Sequence, residues 1–145
     1  MGDRWERILD RKPVPIREHL LDEAARLLQG ELERWPLPVE EMDPRTGATL
    51  GALLAPDAPP PSPGVYRAAL RLVRWELGRE HDAYDDFMRN RRYLGLGIVE
   101  SERSALLLVS RWVLEQLLAL SEATGGRVDR PGLLRIVDRL ERGLP

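Results

Sequence analysis

Residues 65–88, VYRAALRLVRWELGREHDAYDDFM, carry the clearest helical pattern in the chain. Their apolar residues recur at intervals of three and four, which places them on one face of an α-helix. We therefore predict one helix over 65–88 with an apolar face made by Tyr66, Ala69, Leu70, Val73, Leu77, Tyr84, Phe87 and Met88. Gly78 lies inside this helix and costs roughly 1 kcal/mol relative to alanine, which weakens the prediction locally.

The same spacing predicts further helices on both sides of this stretch, over 4–10, 16–35, 101–124 and 129–142. The last has clear end signals, because Asp129 can cap its start, Pro131 fits its first turn and Gly143 follows its end. No segment alternates polar and apolar residues with a period of two, so the predicted class is all-α. We expect a bundle of four main helices plus a short N-terminal helix.

Residues 36–64 are rich in proline and hold eight of the twelve prolines in the chain. Proline lacks the backbone N–H that helices and sheets need, so this stretch is predicted to be a long connection between the second and third helices. A short turn of helix is expected near residues 48–54. Residues 1–145 together have the length of one domain, and we predict a single helical domain.

Composition narrows the function classes. The chain has no cysteine, which argues against a disulfide framework, a cysteine-ligated zinc site or a thiol nucleophile. Its net charge of −2 is not that of a strongly basic nucleic-acid binder. Lys12 is the only lysine among 22 basic residues, and asparagine and glutamine are scarce. A GC-rich genome explains this usage, and a thermophilic source is also compatible with it.

The sequence gives no sign of export or membrane insertion. The first six residues include Asp3, Arg4 and Glu6, which does not fit a signal peptide. The longest strongly apolar run, residues 105–109, is far below the ~20 residues that span a bilayer. We therefore expect a cytoplasmic protein with no membrane partner.

Two carboxylates in the 65–88 stretch are candidates for chemistry. At 100° per residue, Glu80 points into the apolar stripe, while Glu76 and His81 lie at its two edges. A carboxylate in such surroundings needs a partner, so we predict that Glu80 is buried and paired with an arginine of a neighbouring helix. The alternative is an acid–base or metal role for Glu80 with Glu76 and His81.

A second hypothesis, a metal site, comes from the order of His19, His81-Asp82 and Asp138 along the chain. It resembles the His…His-Asp…Asp metal-ligand series of HD-domain phosphohydrolases, and residues 136–140, IVDRL, resemble the segment that bears their last aspartate. That family is all-α and metal-dependent. The resemblance implies that these four side chains converge on a metal.

A third reading is contact with nucleic acid through the cluster Arg89, Arg91, Arg92 and Tyr93. Arginines beside an aromatic ring on a glycine-containing loop can hold phosphate and stack a base. The alternative is structural, because cations are favourable at a helix C-terminus and three aspartates precede the cluster. The helix over 129–142 also carries four arginines that could read DNA, although acidic residues balance them.

Self-association is predicted from the helix over 101–124, which is apolar on nearly every side. One face suits a bundle core, while Leu107, Leu114 and Leu118 lie on the opposite face. Such a helix has to be covered nearly all round, and we expect a homodimer that covers this second face. The alternative is that neighbouring helices of one chain cover it completely.

The function predicted from these residues is a non-enzymatic helical interaction or assembly protein, or a regulator, that binds protein and no cofactor. A metal-dependent phosphohydrolase is the first alternative, and a nucleic-acid-binding regulator is the second.

Overall fold

The computed structural model describes residues 3–11, 17–52 and 57–145. Within these ranges the chain forms helices, turns and loops without a strand, which confirms the all-α class. The α-helices are α1 (Asp3–Arg11), α2 (Arg17–Leu32), α3 (Pro44–Gly51), α4 (Pro63–Leu77), α5 (His81–Arg89), α6 (Arg103–Ala123) and α7 (Arg130–Arg142). Short 3₁₀ helices cover Val39–Glu41, Arg92–Leu96 and Glu100–Glu102.

The helix predicted over 65–88 is two helices. α4 ends at Leu77 and α5 begins at His81, with Gly78 as the C-cap residue of α4. The start of α4 follows from its sequence, because the Ser62 hydroxyl accepts a hydrogen bond from the Val65 N–H and Pro63 lies in the first turn. A continuous 65–88 helix was therefore wrong at its centre.

α6 is the core helix. Seven of its large apolar side chains are at most 1 % exposed: Leu106, Leu108, Val109, Trp112, Val113, Leu117 and Leu120. α4, α1 and α3 pack against it, while α2 packs on α7 and α7 packs on α4. The α7 end signals act as predicted, since the Asp129 carboxylate accepts a hydrogen bond from the Gly132 N–H and Gly143 caps the C-terminus.

By length and hydropathy, residues Glu100–Ala123 reach the threshold for a membrane-spanning helix. However, 56 % of the most apolar 18-residue window in this segment is buried inside the fold, as in the core helix of a water-soluble protein. Length and hydropathy alone are therefore weak evidence that this helix spans a membrane.

The proline-rich stretch is more ordered than its composition predicts. α3 covers Pro44–Gly51, earlier than the turn expected at 48–54, of which residues 53 and 54 lie outside the described ranges. The Asp43 carboxylate caps α3 by accepting hydrogen bonds from two backbone N–H groups, and Pro44 follows at the first helical position. Leu37, Met42 and Leu50 anchor the stretch in the core.

Candidate functional site

The corner between α4 and α5 is a tight turn that contains one residue in the left-handed backbone conformation. The Glu80 N–H donates to the Trp75 carbonyl at 2.8 Å and the Arg79 N–H donates to the Glu76 carbonyl at 3.2 Å. These two bonds define a Schellman motif, which needs a left-handed residue just past the helix end. Arg79 is that residue, with φ of 63°.

A groove of about 470 Å³ lies beside this corner, where α4, α6 and α7 meet. Its apolar lining consists of Leu77, Leu114, Leu118 and Leu133. Its polar lining consists of Glu76, Arg79, His81, Ser121 and Arg130. The groove therefore combines a leucine surface with two guanidinium groups, an imidazole and a carboxylate.

Glu76 organises the polar side of the groove and is only 11 % exposed. Its Oε2 lies 2.8 Å from His81 Nδ1, and its Oε1 accepts a hydrogen bond from Arg111 at 3.4 Å. The Arg111 guanidinium in turn lies 4.9 Å from the centre of the Tyr84 ring, a cation–π contact. One carboxylate thereby fixes an exposed imidazole from α5 and an arginine from α6.

Burial raises the pKa of the Tyr84 hydroxyl above its ordinary value, and the nearby Arg111 charge offsets only part of this effect. Tyr84 is therefore a neutral phenol at physiological pH. It supplies a ring face for Arg111 and a hydroxyl beside Ser110.

The predicted burial of Glu80 was wrong. Its side chain is exposed, because the helix breaks at Gly78 and the residues beyond no longer follow the helical angle that turned Glu80 inward. Glu76, predicted at the stripe's edge, takes the buried and arginine-paired position instead. The structure thus brings Glu76 and His81 together and leaves Glu80 outside the network.

The four candidate metal ligands are not assembled. Among residues 3–11, 17–52 and 57–145, no group of three or more His, Asp or Glu side chains is arranged to hold a metal ion. His19 lies on α2, and His81 and Asp82 lie at the exposed start of α5. Asp138, on α7, forms an ion pair with Arg74 of α4.

The arginine cluster near residue 90 is largely engaged in local structure. Arg92 pairs with Asp86, whose pKa is lowered mainly by the hydrogen bond from Arg92. Tyr93 is fully buried, and its hydroxyl donates to Glu100 at 2.7 Å. Base stacking on Tyr93, as predicted for nucleic-acid contact, was therefore wrong, because its ring belongs to the core.

The remaining members of this cluster are exposed. The side chains of Arg89 and Arg91 reach solvent, and Arg91 lies 3.9 Å from Glu100. On α7, two of the four arginines that could have read DNA are turned toward α2. Arg135 and Arg139 both form ion pairs with Glu18 of that helix.

The three leucines predicted for a dimer face differ in exposure. Leu114 is only 8 % exposed and shares a crevice with Leu72 and Tyr84, so the prediction that it lies uncovered was wrong. Side chains of α4 and α5 thus lie beside it. Leu107 is half-buried against the core, and Leu118 is 50 % exposed. Only Leu118 presents a large apolar surface.

Arg79 is a charged groove residue that was not anticipated as a site residue from the sequence, whereas Arg130 was considered only among the four arginines that could read DNA. The signal available for Arg79 was the Gly78-Arg79 pair inside an otherwise helical pattern, since glycine there can mark a helix end.

No protein-family model matches the chain, and no characterised protein sequence or solved structure is significantly similar to it.

Proposed function

We propose that the chain is a non-enzymatic helical assembly protein of the cytoplasm that self-associates through the groove beside the α4–α5 corner. The observation that carries this proposal is Leu118, which is 50 % exposed although it lies on the core helix α6. Leu77, Leu114 and Leu133 line the same groove but are each at most 8 % exposed, so Leu118 is the exposed end of an apolar lining that continues into the core. A large exposed leucine joined to the core in this way supports a protein partner.

A second copy of the chain is the occupant that this face fits. In a two-fold interface the same surface meets itself, so the surface must carry both apolar groups and charges of opposite sign. The groove supplies the cations Arg79 and Arg130, and the exposed Glu122 follows Leu118 by one helical turn. Leucines at the centre with both charges at the rim are the self-complementary arrangement that such a dimer needs.

The two alternative functions have less support from the described residues. A phosphohydrolase of the HD kind needs converging ligands, and His19, His81 and Asp138 lie on three different helices without forming a metal-binding group. Nucleic-acid contact needs an exposed aromatic ring beside the arginines, whereas Tyr93 is buried. Dimerisation through the leucine-lined groove requires no change in the positions of these residues.

The proposal is tested by sedimentation velocity over a range of protein concentrations. We expect a dimer for the wild type and a folded monomer for Leu118→Glu, because a charge at the centre of the interface cannot be desolvated. Leu94→Glu is the matched control, since Leu94 is 48 % exposed but lies in the 3₁₀ helix Arg92–Leu96 and does not line the groove. It should remain a dimer with helicity equal to that of the wild type.

A wild type that stays monomeric at the highest soluble concentration would overturn the proposal. So would a Leu118→Glu protein that dimerises as tightly as the wild type. Leu114→Glu is a poorer probe, because Leu114 is nearly buried and a charge there would disturb the fold itself.

A further inference from the structure

Resting on the proposed self-association, we infer that Arg79 is the residue that determines its specificity. Its guanidinium binds the Glu122 carboxylate of a second copy, so that a dimer contains two such pairs. Three features of the described residues support this assignment: the backbone conformation of Arg79, the absence of a partner for its side chain, and the position of Glu122 beside Leu118.

The backbone at Arg79 disfavours any side chain. Its φ of 63° lies in the left-handed region, where glycine is the usual residue. α6 ends in the same motif, in which the Gly126 N–H donates to the Ser121 carbonyl at 2.8 Å and the Gly125 N–H donates to the Glu122 carbonyl at 2.9 Å. There the left-handed position is Gly125, with φ of 62°. An arginine at the equivalent position of α4 points to a use for its side chain.

Comparison with Arg91 separates the effect of the backbone conformation from that of the side-chain partner. It too is an arginine in the left-handed region, with φ of 54°. Its guanidinium, however, lies 3.9 Å from the Glu100 carboxylate, so it has an acidic neighbour in its own chain. Arg79 shares the backbone conformation of Arg91 but forms no ion pair with any residue that the structure describes.

The Arg79 side chain has no hydrogen-bond or ion-pair partner within residues 3–11, 17–52 and 57–145, and the same holds for Arg130. By contrast, Arg111 of α6 binds Glu76 and Arg74 of α4 binds Asp138. Within the described residues, two guanidinium groups without an ion-pair partner therefore lie beside the leucine-lined groove. A carboxylate is the group that a guanidinium binds with two parallel hydrogen bonds.

Glu122 is the carboxylate that the α6 geometry presents. It lies four residues after Leu118, hence on the same face of the helix, and its side chain is exposed. Within the described residues its carboxylate takes part in no ion pair. When two α6 helices meet around Leu118, each Glu122 faces the rim of the other copy, where Arg79 and Arg130 lie.

The experiment measures the dimer dissociation constant of four proteins by sedimentation. Arg79→Gly and Glu122→Gln should each weaken the dimer roughly tenfold, because each removes a charged hydrogen bond from both symmetric pairs. Arg91→Gly is the matched control, since it relieves the same backbone conformation without touching the groove. Its dissociation constant should stay within about twofold of the wild type.

A charge reversal identifies the pair. Arg79→Glu combined with Glu122→Arg should restore dimerisation to within a few-fold of the wild type, whereas each single reversal should abolish it. Thermal unfolding of Arg79→Gly and Arg91→Gly should show raised midpoints for both when measured against the wild type at a concentration at which all three proteins are monomers. That result separates loss of binding from damage to the fold.

The outcomes distinguish this inference from the proposed function. A monomeric wild type overturns both. If the wild type dimerises, Leu118→Glu does not, and Arg79→Gly dimerises as tightly as the wild type, then only the role of Arg79 is overturned. If Glu80→Gln weakens the dimer and Glu122→Gln does not, the assignment of Glu122 is overturned.

Discussion

The guanidinium carbon of Arg4 lies 5.3 Å from the centre of the Trp112 ring, so the first helix places a charge directly on the core helix. Arg4 is 8 % exposed and Trp112 is fully buried. The same guanidinium donates to the Gln116 side-chain oxygen and forms an ion pair with Glu41. Trp5, the next residue, donates its indole N–H to the Gln116 carbonyl at 3.1 Å. α1 is thus held to α6 by polar bonds inside the core.

Arg4→Met should lower the free energy of unfolding by about 2 kcal/mol, as measured by urea denaturation. Methionine keeps much of the apolar contact with Trp112, but it leaves the buried Gln116 oxygen without a donor. The double variant Arg4→Met, Gln116→Met should recover about 1 kcal/mol of that loss, because the Gln116 side-chain nitrogen is already buried without a partner. An Arg4→Met protein as stable as the wild type would contradict this account.

Gly47→Ala should destabilise the protein by about 1–3 kcal/mol, although alanine favours helices. A Cβ at Gly47 would lie 2.5 Å from the Val39 carbonyl oxygen, which is backbone and cannot move aside cheaply. Gly30→Ala in α2 is the matched control. Nothing lies within 4 Å of a Cβ there, so this change should stabilise by roughly 0.5–1 kcal/mol. Equal effects of the two changes would show that α3 is not docked on Val39.

Much of the helical content could be predicted because its signals are local. The ends of α7 were predicted from Asp129, Pro131 and Gly143, and the structure places the helix between the caps Asp129 and Gly143. The same kind of signal, Asp43 followed by Pro44, marks the start of α3, but the surrounding prolines concealed it. Proline at the first helical position favours a helix, whereas proline elsewhere ends one, so proline content alone misleads.

The break between α4 and α5 could not be read from periodicity. Leu77 and Tyr84 fall on nearly the same side of an ideal helix, so the apolar pattern continues through the turn. The Schellman bonds that end α4 involve backbone groups, and their left-handed residue is an arginine where glycine is the usual sign. The prediction of one continuous helix therefore placed Glu80 wrongly in the interior and did not identify Glu76 as the arginine-paired carboxylate.

The candidate site was half predictable for a related reason. Glu76 and His81 were identifiable as polar residues at the edges of an apolar stripe, and they do pair. Whether an arginine is paired or free depends on tertiary contacts, which sequence spacing does not contain. Arg79 and Arg130 therefore looked like every other arginine of an arginine-rich chain, and the burial of Arg4 was equally hidden.

Two carboxylates should change stability with pH in opposite directions. Burial is the main cause of the raised pKa of Glu115, so its ionisation destabilises the folded state as pH rises through the ordinary glutamate range. Hydrogen bonds from Arg92 and Asn90 lower the pKa of Asp86, so its contribution is present at neutral pH and is lost as pH falls.

At pH 7 we therefore expect Glu115→Gln to have a higher melting temperature than the wild type and Asp86→Asn to have a lower one. Both differences should shrink as the pH is lowered below about 4, where the carboxylates of folded and unfolded chains become protonated. Thermal unfolding followed by circular dichroism from pH 3 to 8 measures this. Differences that stay constant across that range would show that ionisation is not their cause.

The three tyrosines should titrate above their ordinary range. Burial is the largest cause of the raised pKa of Tyr66, Tyr84 and Tyr93, and the Glu100 carboxylate that accepts the Tyr93 hydroxyl raises that pKa further. Ultraviolet absorption of the phenolate should therefore rise above pH 10 in the folded protein and near pH 10 in denaturant. Because Lys12 is the only lysine, few other side chains titrate in this window.

The sign of the stability change follows from these raised values. Folded-state pKa values above those of the unfolded chain mean that stability is complete below about pH 10 and declines as pH rises beyond it. Tyr93→Phe removes one ionising group and a buried hydroxyl, so it should reduce the alkaline decline relative to the wild type while costing about 1 kcal/mol at pH 7. Helicity and phenolate absorption measured on the same samples distinguish titration in the folded state from titration after unfolding. Coincident phenolate curves for folded and denatured protein, with helicity intact, would contradict the burial of these side chains.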